Sequence, residues 1–471
     1  MPTGSWGNAT IMTVGSVTID ALRGLDLVIV GAGVTGKALH DFALSHGALV
    51  SMVDDRVDGA LRSLPERCAL AIISPGWRPD HSVIEEIRAR GIPHLSEIDF
   101  AWEMKRQIAP EQRWIALSGT NGKTTTIQMV ENIMRSAGVA GVACGNVGRT
   151  VIESITPEID ILAIELSSFQ IDWSELPRFE AIALLNISPD HIDWHGSFDR
   201  YRDAKLKLIS LSKRSFINVS DATLSRSWPE LTTATNSDLI PFHLGSPASG
   251  EIGLVEDLIV DRALVDDPMN AEVLVEVAVL PSNASHNVSN AMAAAALSKA
   301  IGIGADAITE GLATFVLDQH RLQVIGEAKG ITWVDDSKAT NPHAAMAAIF
   351  SFPSVIWIAG GLAKGASMDE LVRATSSRVR AAILVGRDAP LIRAALEELN
   401  PSVKIVEVGA TQGREVMREA VTFAKNLASR GDTVLLAPAC ASMDQFTSYK
   451  ERGDLFQGAV KELVLSEGGA P

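Results

Sequence analysis

Short apolar runs alternate along this chain with longer stretches whose apolar positions recur every three or four residues, the pattern of buried strands separated by amphipathic helices. The alternation falls into three blocks. The first opens with Leu25–Val30, turns through Gly31–Gly36 and continues into a helical stretch from Lys37. Further runs at Ala48–Val53 and Ala69–Ile73 end at Asp54-Asp55 and at Ser74-Pro75-Gly76. The block fades at Ala109-Pro110-Glu111, a polar linker containing a proline. The second block starts with Trp114–Leu117 and adds strand-like runs at Ile159–Ile164, Ala181–Leu185 and Ser215–Val219. From about Leu239 to Pro281 helical periodicity is missing and short strands and loops are expected, before an Ala-rich helix, Asn287–Ala300. The third block is the most regular, with runs at Ile331–Val334, Val355–Ile358, Ala381–Val385, Lys404–Val408 and Thr433–Leu436 separated by helical segments.

This alternation predicts an α/β protein built on mainly parallel sheets, doubly wound in the last block. With 471 residues there is room for about three domains, drawn at 1–110, 111–317 and 318–471. A net charge of −16 argues against a broad nucleic-acid-binding face and leaves room for a local basic pocket. The three cysteines, Cys68, Cys144 and Cys440, are far apart; they make no disulfide framework or zinc cluster and fit a reducing compartment. The first 22 residues carry no Lys or Arg, so a basic secretory leader is not expected and the expected location is the cytoplasm. Ala344–Ala363 is apolar enough to imitate a membrane span, but Pro353, Gly360 and Gly361 divide it into helix, turn and buried strand.

The chemistry-bearing residues cluster where runs end. Gly31-Ala32-Gly33-Val34-Thr35-Gly36 sets GxGxxG between a strand and a helix, where backbone N–H groups can meet a phosphate. Asp54 closes the next run, the place of a ribose hydroxyl contact. Alone, this indicates NAD, although any nucleotide diphosphate suits such a turn. Arg56 is placed to meet a phosphate or a base. Gly119-Thr120-Asn121-Gly122-Lys123-Thr124 is a stronger signal, a shortened phosphate loop, GxxGKT. Its N–H groups would cradle phosphates, Lys123 would neutralise them and the Thr124 hydroxyl would bind Mg²⁺. Glu165, at the end of an apolar run, is placed for a second Mg²⁺-linked carboxylate. His191, with Asp190, Asp193 and His195 nearby, is a candidate ligand in a loop at the same sheet edge. Lys205 lies in the helical stretch Phe198–Ile209, and no local pattern separates it from Lys207. In the third block His320-Arg321, the stretch Asp335–Pro342, Lys364 and Ala437–Ser442 follow strand ends, and their Lys, Thr and Ser side chains point to an anionic ligand. Asn341-Pro342 is expected to start a helix with Pro at its first position.

GTNGKTTT, ELSSFQ (Glu165–Gln170), LNISPDHIDWHGSFDRYRDAKLKL, SHNVSNAMAA (Ser285–Ala294), DQHRLQ, DDSKATNP and PACASMDQF together resemble the Mur ligase family, in family order from Gly31 to Phe456. DSKATNP and PACASMDQF resemble its D-glutamate-adding branch. The resemblance implies three domains: a Rossmann-like UDP-binding domain, a P-loop ATPase domain and a Rossmann-like amino-acid domain. It overrides the NAD reading, since the first domain of the family holds a uridine diphosphate sugar. It implies that Val34, Thr35, Asp55 and Arg56 lie near the uridine and its phosphates, with Ser74, Pro75, Gly76 and Asn146 beside the sugar diphosphate. Gly119, Thr120, Asn121, Gly122, Lys123, Thr124 and Thr125, with Asn287, Asn290 and Arg321, would contact ATP. Thr124, Glu165, His191 and Lys205, the last as a CO₂-derived carbamate, would hold two Mg²⁺ ions; Lys123, His191 and Lys205 would be catalytic. Lys338, Thr340, Lys364, Ser442, Met443 and Tyr449 would bind D-glutamate.

The implied activity is ATP-dependent amide ligation in peptidoglycan precursor synthesis. D-glutamate would join UDP-N-acetylmuramoyl-L-alanine through an acyl phosphate, in a monomer that needs neither nucleic acid nor membrane. The alternative is another amide ligase, of Mur or folylpolyglutamate type. The Asn-Pro-Arg signature of diamino-acid ligases is missing from the third block.

Overall fold

The computed structural model describes residues 17–234, 237–267, 269–317 and 319–466. Most of the stretch read for a leader, residues 1–16, lies outside the described residues. The chain divides into two compact units, residues 1–187 with 202–316, and residues 188–201 with 317–471. Among the described residues the strands form three sheets.

The first unit carries two of them. The N-terminal sheet is fully parallel, in the order Leu49–Val53, Asp26–Val30, Leu70–Ile73, His94–Ser96. Val28, Val30, Ala71 and Ile73 pack with Ile84 and Ile87 of the helix Ser82–Ala89 into one apolar core. The first helix is Val34–Ser45, beginning before the expected Lys37 because extended Gly33 caps it. Gly36 therefore lies inside the helix, where a Cβ would stand 1.8 Å from the Gly31 carbonyl oxygen. Only glycine lets helix and turn close this far. Asp54 departs from its expected role. Its buried carboxylate accepts the N–H groups of Ala32 and Arg56, each at 2.9 Å. Burial alone would raise its pKa, but those two bonds and the Arg56 guanidinium hold it below the usual carboxylate value. It braces the glycine turn.

The second sheet has nine strands in the order Glu272–Glu276, Leu258–Asp261, Ile252–Val255, Asp238–Phe242, Ser212–Asn218, Phe179–Leu184, Arg113–Ser118, Ile161–Glu165, Gly141–Gly145. Seven of these are joined in parallel, and the last two, Leu258–Asp261 and Glu272–Glu276, add on antiparallel. The stretch expected to form short strands supplies this extension together with the parallel strands Asp238–Phe242 and Ile252–Val255. Strand Gly141–Gly145 was not anticipated; its two glycines and mostly half-buried positions give no apolar run. The Ala-rich helix spans Ser285–Ala300 and packs against Lys123–Ser136.

The two sheets of this unit are tied by side chains. The helix Glu97–Ile108 belongs to the N-terminal sheet. Asp99 Oδ1 accepts the N–H groups of Glu175 and Leu176 at 2.9 and 2.8 Å. Glu97 Oε1 accepts Gln170 Nε2 at 2.8 Å, and Trp173 Nε1 donates to the Trp77 carbonyl at 3.0 Å. Burial pushes the Glu97 carboxyl up to about 7, against the pull of the Gln170 amide and the Thr35 hydroxyl. An unfolded Glu titrates near 4.5. Below that value both states hold the proton; between there and about 7 only the folded state does. Its contribution is therefore lost as pH rises through this window, on the order of 3 kcal/mol in full. Melting temperature is expected to fall between pH 5 and pH 8, and Glu97→Gln to flatten part of that slope. A variant melting with the parent's full pH slope would show that Glu97 does not cause it.

The second unit has a six-stranded sheet in the order Gln323–Ala328, Ile331–Asp335, Thr433–Leu436, Val355–Gly360, Val379–Val385, Lys404–Glu407. The first pair is antiparallel and the rest are parallel. Edge strand Gln323–Ala328 escaped the sequence reading because it buries no full face. The membrane-like run resolves into the helix Pro342–Phe350 and the fully buried strand Val355–Gly360. Asn341 caps that helix, accepting the Ala344 N–H at 2.9 Å, with Pro342 at the first position. Among the described residues no helix is long and apolar enough to cross a membrane.

Candidate active site

The phosphate loop lies between the strand Arg113–Ser118 and the helix Lys123–Ser136. Gly122 takes a left-handed conformation, φ +83°, and a Cβ there would stand 2.4 Å from Asn290 Oδ1. The requirement for glycine thus has two causes, backbone sign and the close approach of the Ser285–Ala300 helix. Asn287 and Asn290, both buried, stand on that helix. Lys123 Nζ donates to the carbonyls of Gly119 and Thr120 at 2.8 and 3.0 Å, and Thr124 and Thr125 follow in the first helical turn. One residue here was missed from sequence. Asn186 accepts the Asn121 N–H at 2.8 Å through Oδ1, returns Nδ2 to the Asn121 carbonyl at 3.1 Å, and accepts the Thr120 N–H at 3.0 Å through its own carbonyl. Its place just beyond the strand Phe179–Leu184 was the one available signal.

Glu165 ends the strand Ile161–Glu165 and is 1% exposed. Its Oε1 accepts Asn146 Nδ2 at 2.9 Å, whereas its Oε2 is buried with no hydrogen-bond partner. A bare buried carboxylate oxygen beside a phosphate loop suits a hard cation. Among the described residues no group of three or more His, Cys, Asp or Glu gathers as a metal cluster. Any divalent ion here would rely on few protein ligands plus phosphate oxygens, the habit of Mg²⁺.

Lys205 and Lys207 share the helix Phe198–Ser210 and have different fates. Lys205 is 1% exposed and donates to Ser118 Oγ at 3.2 Å and to the Gly119 carbonyl at 2.9 Å. Lys207 instead bonds the Asp172 carbonyl at 2.8 Å and Glu175 Oε1 at 2.6 Å, toward solvent. The ordinary expectation of a solvated helix lysine fails for Lys205. Lys123 and Lys205 both donate to the Gly119 carbonyl.

At the N-terminal sheet, Val34, Thr35, Asp55, Arg56, Ser74, Pro75 and Gly76 all stand beyond the carboxyl ends of three neighbouring parallel strands. Arg56 lies over the Trp77 ring, 5.4 Å from its centroid. Ser74 Oγ and Trp77 Nε1 are buried without hydrogen-bond partners. Asn146 follows Gly141–Gly145 and joins Glu165 instead.

In the second unit, His191 precedes the short helix Ile192–His195 in a left-handed conformation, φ +52°, with Nε2 3.6 Å from Asp190 Oδ2. Arg321 follows His320, whose Nδ1 meets Asp335 Oδ2 at 2.6 Å; that bond raises the imidazole pKa. Three loops follow the strands Ile331–Asp335, Val355–Gly360 and Thr433–Leu436. Backbone pairs knit them: Leu362 and Ala441 exchange N–H···O bonds at 2.8 and 2.9 Å, and the Ala439 N–H reaches the Ala339 carbonyl at 2.9 Å. Lys364 and Ala439 hold positive φ, +51° and +60°, without being glycine. Such strain marks loops whose shape is fixed by their surroundings. On these loops sit Lys338, Thr340, Lys364, Ser442 and exposed Met443. Lys338 Nζ lies 3.9 Å from the centroid of the Tyr449 ring.

Mainly parallel sheets, a phosphate loop and knitted strand ends together define a nucleotide-binding α/β protein with a second, separate ligand site. Residues 117–298 match the Mur ligase middle domain, and residues 320–440 the Mur ligase glutamate ligase domain. The chain belongs to the Mur ligase family. It is 41% identical over 467 residues to the UDP-N-acetylmuramoylalanine–D-glutamate ligase of Thermobifida fusca, covering 94% of this chain and 99% of that one. With the enzyme of the same name from Streptomyces coelicolor it is 40% identical over 471 residues, 93% of this chain and 98% of that one. In fold it resembles a pseudomurein peptide ligase type C from Methanothermus fervidus, with a TM-score of 0.59 at 17% identity over 92% of this chain and all of that one.

Proposed function

We propose that this chain is an ATP-dependent ligase that adds D-glutamate to UDP-N-acetylmuramoyl-L-alanine in peptidoglycan synthesis. The observation that carries this is the end-to-end identity of about 40% with enzymes so named. Residues 1–110 would hold the UDP moiety, 111–317 ATP and 318–471 the amino acid. A carboxylate repels an amine and has no workable leaving group. A carboxylate oxygen of the alanyl group therefore attacks the γ-phosphorus and ADP leaves. The D-glutamate amine then attacks the acyl carbon, and phosphate leaves with that oxygen. The loop N–H groups and Lys123 hold the phosphates and stabilise the charge that gathers as the two anions converge. Mg²⁺, held by Thr124 and Glu165, would neutralise phosphate oxygens. The bare Glu165 Oε2 supports that placement.

Lys205 would be a carbamate. Its neutral amine adds CO₂ and releases a proton, giving an anion with two hard oxygens. Two observations support this. The side chain is buried, where an ammonium is disfavoured, and it shares an acceptor with Lys123, where two like charges would repel.

Incubation with ATP, UDP-N-acetylmuramoyl-L-alanine and either enantiomer of glutamate should release phosphate with D-glutamate only. Release with L-glutamate alone, or with neither, would overturn the proposal. Lys364, on a knitted loop, would neutralise one glutamate carboxylate, with Thr340 and Ser442 donating to the other. Such charge-assisted bonds contribute about 1.5–3 kcal/mol, or roughly 10- to 150-fold in affinity. Lys364→Ala should raise the KM for D-glutamate by that factor and leave the KM for ATP nearly unchanged. Equal rises for both would place Lys364 elsewhere in the mechanism.

A further inference from the structure

Arg452 stands on the helix Tyr449–Val460 and is 1% exposed. Its Nε donates to Ser337 Oγ at 3.0 Å and its Nη2 to the Ser337 carbonyl at 2.8 Å. Its Nη1 reaches the carbonyls of Cys440 at 3.2 Å and Gly360 at 3.5 Å. The acceptors belong to the three loops, or the strand end, that carry Lys338, Thr340, Lys364 and Ser442. Ser337 Oγ in turn donates to the Tyr449 carbonyl at 2.7 Å, closing the network on the helix itself.

The guanidinium makes no ion pair with a carboxylate among the described residues. Asp335 and Asp444 act on it only through space: Asp335 is bonded by His320 and Gln457, while Asp444 accepts the Arg387 N–H through Oδ2 and keeps a buried Oδ1 without a hydrogen-bond partner. Burial draws its pKa down to about 10, so it stays charged at neutral pH. A buried cation held only by neutral oxygens is a costly arrangement. It becomes favourable if an anion settles over the loops it supports.

We propose that Arg452 is the positioning residue of the acidic amino-acid site: it locks three strand ends together from beneath and supplies a buried positive charge that the ligand's carboxylates match. This rests on reading these loops as the D-glutamate site. A planar fork spreads five N–H donors over acceptors on three segments, whereas an ammonium offers three donors from a single point.

The test compares full-length Arg452→Gln and Arg452→Lys with the parent in ATP-dependent phosphate release, with D-glutamate as acceptor and D-glutamine, its neutral side-chain amide, as competitor. Arg452→Gln should raise the KM for D-glutamate at least tenfold, leave that for ATP within twofold, and cut the preference for D-glutamate over D-glutamine at least fivefold. Arg452→Lys should also raise the KM several-fold yet keep that preference within twofold, because the charge remains. An unchanged D-glutamate KM in either variant, an unchanged preference in Arg452→Gln, or an equal loss of preference in both overturns the proposal. If Arg452→Gln shows no melting transition, Arg452→Lys decides alone: a raised KM with preference kept supports the proposal, and any other result overturns it. Absence of D-glutamate-dependent release by the parent would instead count against the proposed function.

Discussion

Replacing Lys205 with alanine is expected to reduce turnover on the order of 10²- to 10³-fold, the scale of losing one preorganised charged group at a reacting centre. A small added carboxylate should restore part of the activity. The cavity left by the buried side chain opens beside Ser118 and Gly119, next to the phosphate loop. A carboxylate entering there would supply the two oxygens that a carbamate on Lys205 would provide. Lys207→Ala should stay near parental activity, since its ammonium bonds Asp172 and Glu175 away from the loop. Turnover is read as phosphate release in buffer equilibrated with CO₂ and in buffer depleted of it. Full activity of the Lys205 variant, or indifference of the parent to CO₂ depletion at pH values where the carbamate forms and reverses, would remove the carbamate from the mechanism.

Lys123→Ala is expected to be at least as severe, roughly 10³-fold or more in kcat, with a smaller change in the KM for ATP. The backbone cradle survives the substitution, because Asn186 pins Asn121 and Thr120 independently of Lys123. Ground-state nucleotide binding is thus largely retained, while charge stabilisation during phosphoryl transfer is lost. Equilibrium binding of an ATP analogue, measured beside single-turnover phosphate release, separates the two. A variant that loses binding but transfers phosphate normally at saturation would give Lys123 only a binding role.

The placement of much of the candidate site at strand ends was readable from sequence because the apolar runs end where the polar clusters begin, and open parallel sheets place ligands beyond strand carboxyl ends. GTNGKT, Glu165, DSKATNP and PACAS all follow that rule. What escaped depends on packing between distant segments. Local pattern does not separate Lys205 from Lys207 in a charged helical stretch; the family resemblance singled out Lys205, and the docking of that helix against Ser118 and Gly119 is what buries it. Arg452 lies 115 residues from Ser337, and no periodicity reports such a partner. Asp54 was misread for a related reason. An acidic residue after a second strand meets a ribose in many folds, but here the turn's own N–H groups claim it.

The ties between the two sheets of the first unit set how this chain can be divided. Trp173, from the phosphate-loop half, packs onto the N-terminal core, and Glu97 and Asp99 find their partners across the same seam. Cutting at the linker near Pro110 would strip Glu97 of the Gln170 amide and Asp99 of the Glu175 and Leu176 N–H groups, and leave a core missing part of its cover. The half that carries the N-terminal sheet is therefore not expected to be a module that evolution or an engineer can lift out whole. It is expected to melt together with the half that carries the phosphate loop.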